Sequence, residues 1–152
     1  MMVDISELAP IAKQLNQRSN QLNSTIARIN QKLSRMNLGV EVWLDKPLSA
    51  DPWVKDDNKV LCRDAGYLGY SRLGDKWELT VRVAMEENQS DNPRQEHIEK
   101  VGSPRYSSLL ACSRSVRLAA LEQLPELLAA LKAEGERLLK LIDAGEKTAQ
   151  SL

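Results

Sequence analysis

The chain has 152 residues, 21 basic and 21 acidic side chains, and 42% hydrophobic residues. That length suffices for one domain with a real core, and the neutral balance argues against a global attraction to nucleic acid or an anionic membrane. No apolar run nears the roughly 18 to 20 residues that cross a bilayer, and MMVDISELAP has neither the basic start nor the apolar core of a secretory signal, so a cytoplasmic protein without membrane contact is expected.

The first element is a long helix over 5–37. Its apolar positions alternate steps of three and four, with Ile5, Ala12, Ser19, Ile26 and Leu33 in one row and Leu8, Leu15, Leu22, Ile29 and Met36 in the other. Five heptads of this kind read as a coiled-coil seam. Leu15, Leu22, Ile26, Ile29 and Leu33 are its candidate self-association residues, and the small Ala12 and Ser19 predict looser packing in the N-terminal half. Asp4 and Glu7 form a capping-box pattern, and Asn37 to Gly39 supplies the stop. Between Pro10 and Leu38 the helix carries Lys13, Arg18, Arg28, Lys32 and Arg35 and no acidic residue, while Asn recurs at 16, 23, 30 and 37. The five cations are candidate phosphate contacts for a nucleic acid, or the complement of an acidic helix. The chain holds such a helix, since 120–146 contains six acidic residues against three basic ones.

Past Gly39 the period changes to two, and an antiparallel meander of about four strands is expected over 40–86. In VEVWLD, Val40, Val42 and Leu44 face one way and Glu41, Trp43 and Asp45 the other. A loop follows, whose Asp51, Asp56 and Asp57 lack the glycine and distal glutamate of a calcium loop and read as a solvated turn. VLCRD, 60–64, predicts a further strand turned by Ala65 and Gly66.

GYLGYSRLGDKW has the outline of a phosphate loop, but the segment that follows alternates as a strand, Asp75 stands where the lysine belongs and Trp77 where Ser or Thr should be. Gly74-Asp75 is instead the two-residue turn of a hairpin. Counting outward pairs Arg72 with Trp77, Tyr70 with Leu79 and Leu68 with Val81, and on the other face Ser71 with Glu78, Gly69 with Thr80 and Tyr67 with Arg82. A slip of one residue would destroy this sorting of apolar from polar. Gly69 opposite Thr80 marks either sheet twist or the close approach of another group.

Residues 87–106 are polar and unpatterned and read as a mobile loop holding the single histidine, His97. Two C-terminal helices are expected over 108–123 and 125–144, separated by Pro125, packing with the long helix and one face of the sheet. The fold class is therefore α+β. Cys62 and Cys112 suit buried reduced thiols, and no metal-ligand pair, nucleophile elbow or phosphate loop is present, which leans away from an enzyme and calls for no metal or cofactor. The expected function is a protein-interaction or regulatory module that dimerises through the long helix. A second reading places a planar anion such as a nucleotide on the outer sheet face, with Tyr67, Arg82 and Trp43, and with Trp53, Arg105 and Tyr106 in flanking loops. A third puts nucleic acid on the basic helix.

Overall fold

The computed structural model describes residues 2–89 and 97–152. Asp4 and Glu7 form the capping box around a 3-10 turn, Ile5–Glu7, and the helix α1, Leu8–Met36, continues from it. It stops at Asn37, whose left-handed backbone (φ 54°) ends the helical hydrogen bonding.

Six strands follow: β1 Val42–Trp43, β2 Ser49–Ala50, β3 Val54–Lys55, β4 Leu61–Leu73, β5 Lys76–Asn88 and β6 Ile98–Ser108. All pairings are antiparallel, in the order β1-β4-β5-β6, and β2 and β3 also pair with β4, so the three short strands make up one broken edge. The β4–β5 hairpin has the expected register at every position, from Leu73 opposite Lys76 to Tyr67 opposite Arg82. Gly74 supplies the positive φ (68°) that its turn requires.

Three expectations are corrected. First, β4 is one strand of 13 residues with no turn at Ala65-Gly66; both are buried inside it, and the strand continues because β2 pairs across them. Second, much of the presumed loop over 87–106 is strand: β5 runs to Asn88 and β6 starts at Ile98. Residues 90–96, with Pro93, lie outside the described residues. β6 shows no alternation because it is an edge strand with most of its residues exposed, and an irregularity opposite Val83 to Met85 shifts its register near Gly102. Third, one helix, α2, Arg114–Gln150, replaces the expected pair, with Pro125 inside it. Pro125 deletes one helical hydrogen bond, but burial of Ala120 before it and Leu127 and Leu131 after it anchors the helix on both sides.

The core lies on one face of the sheet. Leu68, Tyr70, Leu79 and Val81 from β4 and β5 meet Leu22, Ile26 and Leu33 of α1 and Ala120, Leu127 and Leu131 of α2. Each helix seats mainly on the sheet. The two helices touch each other over a short stretch, where Arg117 donates to Ser19 Oγ (3.3 Å) and to Asn23 Oδ1.

Candidate functional site

Alternation along β4 and β5 sends Tyr67, Gly69, Thr80 and Arg82 to the face opposite the core, and among the described residues no helix packs there. The face nevertheless buries polar groups. Tyr67 is 4% exposed and Glu86 1%, and Ser71 Oγ lies 2.8 Å from Thr80 Oγ1 with both residues buried. An unpaired buried carboxylate would be costly, and Glu86 is held by Arg63, whose Nε donates at 3.0 Å, and by the Tyr67 hydroxyl. Burial first, and the hydrogen bond to Glu86 second, push the Tyr67 phenol up to about 12.

The aromatic rings of this face carry cations. Arg63 lies over Trp53 at 4.3 Å from the ring centre, Arg82 over Trp43 at 4.5 Å and Lys100 over Tyr67 at 4.2 Å. Trp43 meets Tyr106 at 5.7 Å, tilted by 56°. Gly69 makes this possible, because a Cβ at that position would fall within the Trp43 ring. Close approach, and not twist alone, therefore explains the glycine.

Of the six residues expected at a ligand site, Tyr67, Arg82, Trp43 and Tyr106 come together, and Trp53 joins them through Arg63 and Glu86. Arg105 does not. Neither it nor Tyr106 is in a loop: both are on β6, and Arg105 opposes Val83 on the core side of the sheet, where it pairs with Asp64 at 3.6 Å. Sequence reasoning missed Arg63, Glu86 and Lys100. The first two could have been found, because the hairpin count that pairs Tyr67 with Arg82 also pairs Arg63 with Glu86. Lys100 could not, since its place depends on the irregular register of β6.

The clefts among the described residues lie elsewhere. One cleft, of about 470 Å³, lies beside the β3–β4 turn with Lys55, Lys59 and Asn88 in its walls, and another, of about 490 Å³, lies between β1 and α2 with Trp43, Ala130 and Arg137. Neither is lined by Tyr67, Arg82 or Tyr106. Near the first cleft, ligand atoms of Asp56, Cys62 and Glu87 lie within 4.8 Å of one another. Asp56 is the turn residue the sequence implies, since its Oδ1 accepts from the backbone of Asn58 and Val60 at 2.9 Å each, and its Oδ2 accepts from the Cys62 thiol at 3.6 Å. Burial and the carboxylates of Asp56 and Glu87 push that thiol up, which favours the protonated donor over a thiolate. His97 is exposed, with Nε2 3.3 Å from Glu99 Oε1.

The seam of α1 divides in two. Leu22, Ile26 and Leu33 are buried against the sheet within one chain and Ile29 is half-buried there, whereas Leu15 is 46% exposed. Every residue from Ile5 to Arg18 is exposed, Ile5, Leu8 and Ile11 included. The far end of α2 matches it, with Leu139, Leu141 and Ile142 all exposed. Lys13, Arg18, Arg28, Lys32 and Arg35 are exposed too, and among the described residues none pairs with a carboxylate. The acidic side chains of α2 that do pair use α2's own cations, Glu136 with Lys132 and Glu134 with Arg137. The asparagine series is explained in part: Asn23 accepts from Arg117, Asn30 Oδ1 accepts from the Leu79 backbone at 2.8 Å, and Asn37 ends the helix.

Among the described residues no helix is long and apolar enough to cross a membrane. Comparison of the chain with known protein families, curated proteins and solved structures returned no match.

Proposed function

We propose that the protein is a non-enzymatic interaction module that pairs with a second copy of itself through the two helix overhangs, the exposed N-terminal stretch of α1 on one chain lying against the exposed C-terminal stretch of α2 on the other. The observation that carries this reading is the split seam: the apolar heptad rows continue through Ile5, Leu8 and Leu15 after the sheet that covers Leu22, Ile26 and Leu33 has ended. A helix that only covered the sheet would have no use for the first two heptads. Charge favours a second copy as the occupant. From Pro10 to Leu38 α1 has five cations and no acid, residues 120–146 of α2 hold six acids against three cations, and the two sets form no ion pair within one chain, although the overhang from Leu139 to Gln150 is itself balanced at two acids and two cations. The free thiols Cys62 and Cys112 suit a reducing compartment such as the cytoplasm.

Analytical ultracentrifugation of the full chain tests the reading. A dimer is expected at a chain concentration in the tens of micromolar, and Leu15→Glu, on an exposed position, is expected to return it to monomer with a native far-UV circular dichroism spectrum and a melting temperature equal to that of the dilute, dissociated wild type. A wild-type protein that sediments as a monomer at that concentration overturns the reading.

A further inference from the structure

Among the described residues three cations lie over the aromatic rings of the open sheet face, and they are not equivalent. The charge of Arg63 is taken up by buried Glu86. Arg82 and Lys100 make no hydrogen bond or ion pair among the described residues, and Arg82 Nε is sealed from solvent without a partner. They also stand close enough to disturb one another: burial, and then the Arg82 charge, hold the Lys100 ammonium below its ordinary range, with Glu86 acting the other way. The other acids at this face among the described residues are engaged or distant. Glu41 accepts from Trp43 Nε1 at 3.0 Å, and Glu78 sits opposite Ser71, nearer the turn. Two neighbouring cations that repel each other are relieved by an anion that touches both. Beside them Tyr106, 48% exposed, offers ring surface, next to half-buried Trp43, which lies on Gly69 and carries Arg82.

The shape of the face limits the occupant. A mononucleotide or other small molecule needs a concavity that buries most of its surface, and the clefts among the described residues lie away from this face. A duplex keeps the flat faces of its bases stacked on one another, out of reach of an aromatic ring on a sheet face. An acidic peptide would satisfy Arg82 and Lys100 but has no regular supply of planar groups for Tyr106. A single strand of nucleic acid has both, a phosphate and a flat base at every step. We propose that the open face of the sheet binds single-stranded nucleic acid, with a base stacked on Tyr106 beside the Trp43–Arg82 pair and phosphodiesters held by Arg82 and Lys100. This site is separate from the basic stripe on α1 and from the helix overhangs.

The test is fluorescence anisotropy of a labelled oligothymidylate of about 12 nucleotides, within the span of known stacking platforms, titrated with the full chain at low salt. Binding is expected, with quenching of tryptophan fluorescence and an affinity that falls steeply with salt. Tyr106→Ala is expected to weaken it roughly fivefold or more, and Lys100→Ala to weaken it and reduce the salt slope by about one. Both side chains are exposed, so unchanged melting temperatures show that the fold survives. Lys13→Ala and Arg28→Ala on α1 are expected to leave binding as it was. No anisotropy change with protein in the tens of micromolar overturns the proposal. Binding that Tyr106→Ala leaves intact while the α1 variants abolish it also does so, and assigns the contact to the helix. If inorganic polyphosphate competes fully and tryptophan fluorescence never responds, the face is only a polyanion contact and the stacking proposal fails.

Discussion

The two faces of this sheet are made from the same strands and bury their side chains by opposite means. On the core side Leu68, Tyr70, Leu79 and Val81 are covered by two helices. On the open side Tyr67, Thr80, Ser71 and Glu86 are as deeply buried, and among the described residues no helix lies above them. Their cover is a layer of long side chains lying flat, Lys100 on Tyr67 and Arg82 on Trp43, with Trp43 itself lowered onto Gly69. Aliphatic stems and guanidinium planes exclude water while the charged ends stay near it. The comparison teaches that a low solvent exposure does not identify a hydrophobic core. One face is buried by apolar area, the other by geometry among polar and aromatic groups.

Neighbouring residues on β4 allow the two faces to be broken separately. The largest effect is expected on the core side: Leu68→Ala should cost about 3 kcal/mol, by lost transfer energy and the cavity left behind, read as a lower denaturant midpoint at unchanged slope. A loss under about 1 kcal/mol would mean that the helices do not clamp this face as tightly as Leu68's complete burial implies. Gly69→Ala comes next, at about 1 to 3 kcal/mol, because the new Cβ must push the Trp43 ring away. It should also shift tryptophan emission, which Leu68→Ala should not; unchanged emission would separate Gly69 from Trp43. The smallest effect is a pH dependence. The Tyr67 proton is held to about 12 in the folded chain and leaves near 10 in the unfolded one. Above pH 10 the unfolded chain therefore binds fewer protons, so stability is complete below that point and declines as pH rises toward 12. Tyr70, raised by burial alone, adds to the same decline from the core side. Tyr67→Phe should make the alkaline decline shallower, and an unaltered slope would remove Tyr67 as its source.

What the sequence made legible follows the same division. The β4–β5 register could be counted residue by residue because apolar and polar positions alternate in both strands and only one alignment sorts them together. The heptads of α1 were equally plain, but which of them would be covered was not, since periodicity fixes a face and says nothing of where its support ends. β6 was lost for a physical reason: an edge strand exposed along most of its length has no need to alternate, and its glycine and proline resemble loop punctuation. Pro125 misled in the reverse direction, because a local penalty was outweighed by anchoring contacts distant in sequence. The candidate site was half legible. Tyr67, Arg82 and Trp43 emerged from the register, whereas Lys100 arrives over Tyr67 by way of a register shift that no pattern announces.

The hydrogen bond from the Leu79 backbone to Asn30 has a further consequence. β6 ends opposite Thr80, so among the described residues the outer rim of β5 from Lys76 to Leu79 has no neighbouring strand. Asn30 supplies there the carbonyl that a strand would have offered. A side chain of a helix thus stands in for one residue of missing sheet and closes an opening at which a foreign strand could begin to pair. It also acts as an index pin: a helix rotated or slid by a single residue would withdraw the amide, so a contact of one atom with another fixes the phase of α1 against the whole sheet, and with it the direction in which the uncovered heptads point.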